Sequence, residues 1–355
     1  MVAVIRARPA GNPVPVYNVP SAIAADCSRP VDVEIGAWLA TVPDASTAVF
    51  AAAGCYGLDE SIFIDDRHGI TIDGNGSTFK TLTRGQVTRA NWRIRGGADI
   101  TIHSAIIRGA GTAVPRGQPG NGQEVQHGVS FDGTRRGTLR DSQIYDIRGD
   151  FVEAQPDIRL GTDYSKLPPA HDITIRSVQM ERADRQGIGF SNVDGAVVTA
   201  NYIGDVSQTA IDIEIDAYGE RSRNIEITNN RFGPVAFSVL ANLPGRTPDN
   251  DNITFRDNTM EVASDSCLPP ILVGDKGLVK TNYNISGNTL LTLGDGISLT
   301  GVVESTITNN TITYKGNGAC NNLTFLPPLS VPVRRLDSDV YLANNVFEGF
   351  PMSGG

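Results

Sequence analysis

Hydrophobic and polar positions in this chain recur as a unit. Residues 184–232 hold it twice: a short strand, a Gly-marked turn, a second short strand, then a polar residue followed by an apolar hook. QGIGFS at 186–191 lies over TAIDIE at 209–214, a spacing of 23 residues that sets Ile188 on Ile211 and Phe190 on Ile213. AVVTA at 196–200 lies over NIEIT at 224–228, and Asn201-Tyr202-Ile203 over Asn230-Arg231-Phe232. Successive side chains leave opposite faces of a strand, so Ile188 and Phe190 point one way while Gly189 and Ser191 point the other. Asp212 and Glu214 then share the outward face.

The unit extends in both directions, from SIFID at 61–65 with GITID at 69–73 to a last repeat at 339–343. It predicts about ten coils, each adding roughly 4.8 Å along one axis. The inward column of the first strand reads Val129, Val152, Ile188, Ile211, Phe237, Leu272 and Ile297. At the turn after the second strand Asn201, Asn230, Asn258, Asn288, Asn310 and Asn345 recur, each two residues before an apolar one. Stacked amides of this kind bond to one another and to turn backbone, a structural role. Ahead of the coils Val31, Ile35, Trp38, Leu39 and Val42 fall on one helical stripe, which predicts a helix covering the open end of the solenoid. The expected division is an extended arm at 1–30, the solenoid with its cap at 31–350, and a tail at 351–355. Three stretches break the period, at 110–125, 156–170 and 242–251. Insertions in a solenoid emerge as loops and often wall a binding face.

Composition agrees with an all-β solenoid. Only 6% of residues are aromatic and 19% charged, while 38 Gly and 20 Pro supply turns. Repeat folds also escape the size limit of a single compact core, so 355 residues fit one domain. A net charge of -9 and a pI near 5.0 argue against duplex nucleic acid or an anionic membrane as partner. No apolar run reaches the roughly 18 residues that would span a bilayer. The N-terminal MVAVIRARPAGNPVPVYNVPS is Pro-rich without a long apolar core, so it does not read as a signal peptide. Cys27 and Cys55 near the front and Cys267 and Cys320 near the back lack zinc-site spacing. They are two local disulfides or buried thiols; disulfides would make this a secreted protein whose export signal has been removed.

The strand-turn-strand-Asn pattern with a cap helix ahead of it resembles the right-handed parallel β-helix of the pectate-lyase-like superfamily, over about residues 31–350. RQGI at 185–188, GDFV at 149–152 and IDIE at 211–214 further resemble a group of bacterial β-helix proteins. The resemblance implies work on polysaccharides: lyases, glycoside hydrolases, epimerases, or tailspikes that bind or cut surface glycans. Fold alone does not choose among them. The Asn-Thr-Asp, Gly-His-Gly and Arg-Ile-Lys signatures of polygalacturonases and the Asp-Pro-His of alginate epimerases are absent, and Gln126-His127-Gly128 only faintly resembles one of them.

The reaction is therefore read from the outward columns. One is Ser130, Glu153, Gly189, Asp212, Ser238, Val273 and Ser298; the next is Asp132, Gln155, Ser191, Glu214, Leu240, Asp275 and Thr300. His127, Asp150, Gln186 and Thr209 stand at the strand entrances, with Arg185 one residue earlier. Gly189 leaves a notch between Glu153 and Asp212, whose backbones are roughly 9 to 10 Å apart. Carboxyls about 6.5 to 9.5 Å apart suit an inverting hydrolase. Asp212 and Glu214, about 7 Å apart on one strand, form a second pair, and Asp216 extends the acidic run. Like charges this close raise at least one pKa, as a general acid requires.

The expected activity is glycosidic cleavage, with Asp212 or Glu214 as acid and Glu153 or the other as base. Arg185 and Gln186 would orient the sugar, and His127, Asp150, Gln155 and Asp132 complete the substrate-binding set. A lyase would instead use Arg185 or His127 as base on a uronate. A third reading is a non-catalytic glycan-binding or tailspike-like module. No cofactor is required, although three acids near one notch offer calcium the oxygen ligands it prefers. The expected partner is a polysaccharide or oligosaccharide.

Overall fold

The computed structural model describes residues 13–84, 89–111, 125–163, 166–214, 221–243, 249–274, 279–316 and 331–351. Asp216, Asp275, Cys320, most of the insertion at 110–125 and most of the tail lie outside them. Among the described residues the chain winds through three parallel sheets of ten, thirteen and twelve strands, called here sheets I, II and III. Each coil visits them in that order, as Ile62–Asp65, Thr71–Asp73 and Thr78–Thr81 do before Arg89–Arg95 begins the next. Every ladder is parallel and joins one coil to the next. The all-β solenoid expected from the repeat is the observed architecture.

Sheet III was hidden in the sequence. Its strands are the hooks after each polar turn residue, such as Ile106–Arg108, Gln143–Ile147 and Tyr202–Val206. Segments this short carry too few alternations to read as strands by pattern alone. The residues treated as an arm also contribute: Val16–Asn18 opens sheet II and Asp26–Pro30 opens sheet III.

The core is the inward column repeated on three sides. Val129, Val152, Ile188 and Ile211 are fully buried and paired in register. Above them the column differs from the expected one: Leu240 replaces Phe237, and Ile271 replaces Leu272. A one-residue slip flips every side chain to the opposite face, so Leu272 faces out and Val273 in, while the outward column continues through Ala241 rather than Ser238. The run ILVG is apolar on both faces and cannot announce its own register. In the coil below it, the inward residue after Leu240 is Asn242, a polar side chain that alternation assigns to solvent. Asn242 is fully buried because Lys280 Nζ donates to its Oδ1 at 2.8 Å and its Nδ2 donates to the Tyr283 hydroxyl.

The Asn column forms a closed ladder. Each Nδ2 donates to the next Oδ1 at 2.8–3.1 Å, from Asn201 through Asn230, Asn258, Asn288 and Asn310 to Asn345. It also donates to a carbonyl below, as Asn258 does to Ile227 at 2.9 Å. The residue before each amide has positive φ: Ala200, Asn229, Asp257, Gly287, Asn309 and Asn344 lie between 55° and 67°. A left-handed residue turns the chain sharply and strands backbone groups, which the amide then satisfies.

Asp32–Thr41 is the expected cap helix, burying Val31, Ile35, Trp38, Leu39 and Val42. Trp38 meets Phe50 edge-on at 5.2 Å, the first contact of an aromatic group continuing through Tyr56, Phe79 and Trp92. Cys27 and Cys55 form a disulfide closing a separation of 28 residues, worth about 3–4 kcal/mol in the chain-entropy view. Cys267 is also disulfide-bonded. Among the described residues no helix is long and apolar enough to cross a membrane.

Candidate active site on sheet I

Ladder register fixes which outward side chains stack. Phe63, Arg93, Ser130, Glu153, Gly189 and Asp212 pair in succession. Glu153 and Asp212 thus share one column with Gly189 between them, two rungs or roughly 9 to 10 Å apart along the sheet. Beside it run Asp132 and Gln155, paired in register, with Ser191 and Glu214 following Phe190 and Ile213 on the next two rungs.

Outward does not mean exposed here. All seven residues of Gln126–Asp132 are buried, on both faces of the strand. Glu153 is 5% exposed, and Asp150 and Asp132 are fully enclosed. Removing carboxyls from water demands partners, and the partners divide the site into two groups.

The first centres on Asp132, which accepts from Ser130 Oγ, from Gln155 Nε2 at 3.0 Å and from Arg93 Nε at 2.6 Å. Enclosed in this way, Asp132 is committed to the protein rather than open to a substrate; it holds Gln155 and Arg93 in place.

The second centres on Arg185. Its Nη1 donates to Asp150 Oδ2 and its Nη2 to Glu214 Oε2, each at 2.6 Å. Asp150 Oδ1 accepts the Gln186 backbone N–H at 2.8 Å, while Gln186 Nε2 donates to Asp212 Oδ2 at 2.6 Å and its Oε1 accepts from Thr209 N at 2.9 Å. One guanidinium and one amide therefore fix three carboxyls. Asp150 above all holds Arg185 in its charged form. His127 Nδ1 accepts the Asp150 N–H at 3.2 Å, which puts the ring proton on Nε2. Burial, reinforced by Arg185, pushes the imidazole down to about 3, so it is neutral at physiological pH.

Glu153 lies against this group. Its Oε1 accepts from Ser191 Oγ at 3.0 Å, and its Oε2 is buried with no other donor. The expected notch at Gly189 is filled: a Cβ built there would collide with Glu153 Oε2 and come within 3.3 Å of Asp150 Oδ2. Burial first, and the Asp150 charge second, raise Glu153 well above the ordinary glutamate value. Burial raises Asp150 as well, against the pull of Arg185. The consistent state is one proton on Glu153, turned toward Asp150.

No protein-family model and no curated protein matches the sequence. Solved structures do match in shape. The Streptococcus pneumoniae surface protein and adhesin PfbA superposes with a TM-score of 0.63 at 11% identity, covering 92% of this chain and 96% of that one. An alginate lyase from Paenibacillus sp. str. FPU-7 gives 0.52 at 13% identity over 90% and 97%. The tailspike of E. coli bacteriophage HK620, in complex with a pentasaccharide, gives 0.58 at 10% identity over 92% and 64%. This chain is a right-handed parallel β-helix protein. At such identities the likeness shows the fold alone, so chemistry rests on the residues above.

In this β-helix protein the structure brings Glu153, Asp212, Glu214, Arg185, Gln186, Asp150 and His127 into one connected group, and ties Gln155 to Asp132 beside it. Sequence reading missed Ser191 and Arg93 as parts of the site. Both stand in the outward columns, so register alone would have nominated them. It also missed the reach of the insertion at 156–170. Arg159, in the short helical turn Ile158–Leu160, donates to Asp157 Oδ2 at 2.6 Å and to Asp66 Oδ1 at 2.9 Å, 93 residues away. The insertion thereby runs back past sheet I to its first strand. Among the described residues no three His, Cys, Asp or Glu are arranged to hold a metal ion; the cation between Asp150 and Glu214 is Arg185.

Proposed function

We propose that this β-helix protein hydrolyses glycosidic bonds of a polysaccharide or oligosaccharide laid across the outer face of sheet I. The observation carrying the reading is Glu153: a buried carboxyl over a glycine, set against Asp150, raised well above the ordinary glutamate value and in one column with Asp212. The roles differ from those the sequence suggested, because burial makes Glu153 the acid. In the cleavage step the Glu153 carboxyl turns its proton from Asp150 to the leaving glycosidic oxygen as the bond to the anomeric carbon breaks. Asp212, oriented by Gln186, takes a proton from the water attacking the opposite face. The new Glu153 carboxylate is held by Ser191 and the Arg185 charge, and solvent returns the proton.

Two further observations support a glycan as partner. The fold is shared with an enzyme named for alginate and a tailspike holding a pentasaccharide, and the disulfide suits an exported protein. Both lyase bases considered from sequence are committed elsewhere: Arg185 by two carboxylates, His127 by the Asp150 N–H. The test is a panel of plant and bacterial polysaccharides with product masses. Hydrolysis adds water and leaves no near-ultraviolet absorbance, elimination creates that absorbance, and Asp212→Asn and Glu153→Gln should each abolish reducing-end release while melting is retained. A second reading, glycan binding without cleavage, is favoured by the likeness to an adhesin over most of both chains. It expects saturable binding and no product on long incubation.

A further inference from the structure

The cap helix is apolar on both sides. Its buried stripe faces the core, while Val33, Gly36, Ala37 and Ala40 form a second stripe at i, i+3, i+4 and i+7 on the outer side. A helix at the end of a solenoid ordinarily turns polar side chains to water. Between this stripe and the first strand of sheet I lies a cavity of about 400 Å³, lined by Gly36, Ala37, Ala40, Glu60, Phe63 and Asp65 among others. None of the carboxyl group's residues lines it, so it stands apart from that group.

Phe63 is the side chain of interest. It is 41% exposed on the outward face. The Arg95 guanidinium sits 4.0 Å above its ring and is held in turn by Asp65, at 2.7 and 2.5 Å. An outward aromatic clamped by an ion-paired arginine is a rigid platform whose ordering is already complete. Arg95 does not line the cavity, so the ring offers the cavity a side that Arg95 does not cover. Phe63 also stands in the Glu153 column, three rungs below it, roughly 14 Å along the sheet. Arg159 bridges Asp157, just past the Glu153 strand, to Asp66 beside the Phe63 strand, so the two rungs are tied along one edge of sheet I.

We infer that this cavity is a distal subsite of the groove, in which a pyranose ring of the bound glycan strand stacks on Phe63. This rests on the glycan-directed reading above. The chemistry of the rim selects a neutral sugar. Glu60 and Asp65 offer hydroxyl acceptors, and the cation at the edge, Arg67, is spent on Asp44 and on the Leu39 and Val42 carbonyls. Among the described residues lining the cavity a uronate carboxylate would meet three acids, Asp32, Glu60 and Asp65, against the one engaged arginine. The cleavage point thus lies a few sugar units from an anchored ring, and the enzyme should prefer longer strands.

The experiment titrates the Glu153→Gln protein with disaccharides and hexasaccharides of neutral gluco-, xylo- and chito-series, and with an alginate hexasaccharide. Calorimetry gives affinity, and Trp38 emission, read in a Trp92→Phe background, reports on the cap helix. The expected result is a hexasaccharide of one neutral series bound roughly tenfold more tightly than its disaccharide, with a change in Trp38 emission. That preference is expected to vanish both in Phe63→Ala and in Ala37→Trp, which fills the cavity from the exposed side of the helix. A length preference that survives both substitutions overturns the subsite while leaving the hydrolase reading intact. Binding of the alginate probe alone also overturns it. Absence of any glycan binding, together with absence of product from the polysaccharide panel, overturns both.

Discussion

Two stacks of polar side chains run along this solenoid, and they obey opposite rules. The Asn ladder repeats a group that is donor and acceptor at once, so each rung satisfies the next and the stack closes on itself. The acidic rungs of sheet I repeat a group that only accepts when ionised. They cannot satisfy one another, and the shortfall is met by Arg185, by Gln186, by Ser191 and by a retained proton on Glu153. A self-complementary column is scaffold. One that needs outside donors and a proton is where chemistry can be placed.

Exchanging the two rules is the most direct way to break this contrast. Glu153→Gln gives the acidic column an amide: cleavage should fall about a thousandfold, with the fold retained by circular dichroism. A variant that keeps its rate would return Glu153 to the scaffold. Asn258→Asp makes the reverse exchange. It removes the donor to Asn288 and to the Ile227 carbonyl, and stability should drop by about 3 kcal/mol in a urea melt, with activity following only through the folded fraction. A loss near zero would mean that the ladder closes without each rung.

Smaller changes sharpen the same comparison. Gly189→Ala pushes a methyl into the Glu153 carboxyl and should lower cleavage about tenfold, at a cost to stability of about 1–2 kcal/mol. Full activity would show that the carboxyl can be re-seated freely. The weakest effect is on pH dependence. Glu153 has a folded pKa above its unfolded value, so the folded state binds the extra proton. Its contribution is complete below about 4.5 and is lost as pH rises through the folded pKa. Wild-type stability minus that of Glu153→Gln should therefore fall with rising pH across this window in paired urea melts. A flat difference would mean that the proton is not held.

Much of the fold was legible because burial imposes a period. Ile188 over Ile211 and the six recurring Asn each follow from one local unit copied along the chain, and the cap helix from its own apolar stripe. Legibility failed where a residue broke the pattern for a non-local reason. Asn242 points inward because Lys280 and Tyr283 wait for it, which shifted the expected rung from Phe237 to Leu240. The site was legible as a column and not as a network: Glu153, Asp212 and Glu214 could be placed on one face, but Asp132 turned out to be enclosed and the Gly189 notch filled.

The sequence by itself determined the coil, its inward column through the middle turns, the amide stack and the face that carries the acids, since each depends on neighbours a fixed number of positions away. Tertiary structure alone decided which acid keeps its proton, which carboxyls Arg185 joins, and how deeply the outward face is covered. Those properties depend on distances between groups 29 to 38 residues apart and on how much water the packed chain excludes from them, quantities that no local pattern encodes.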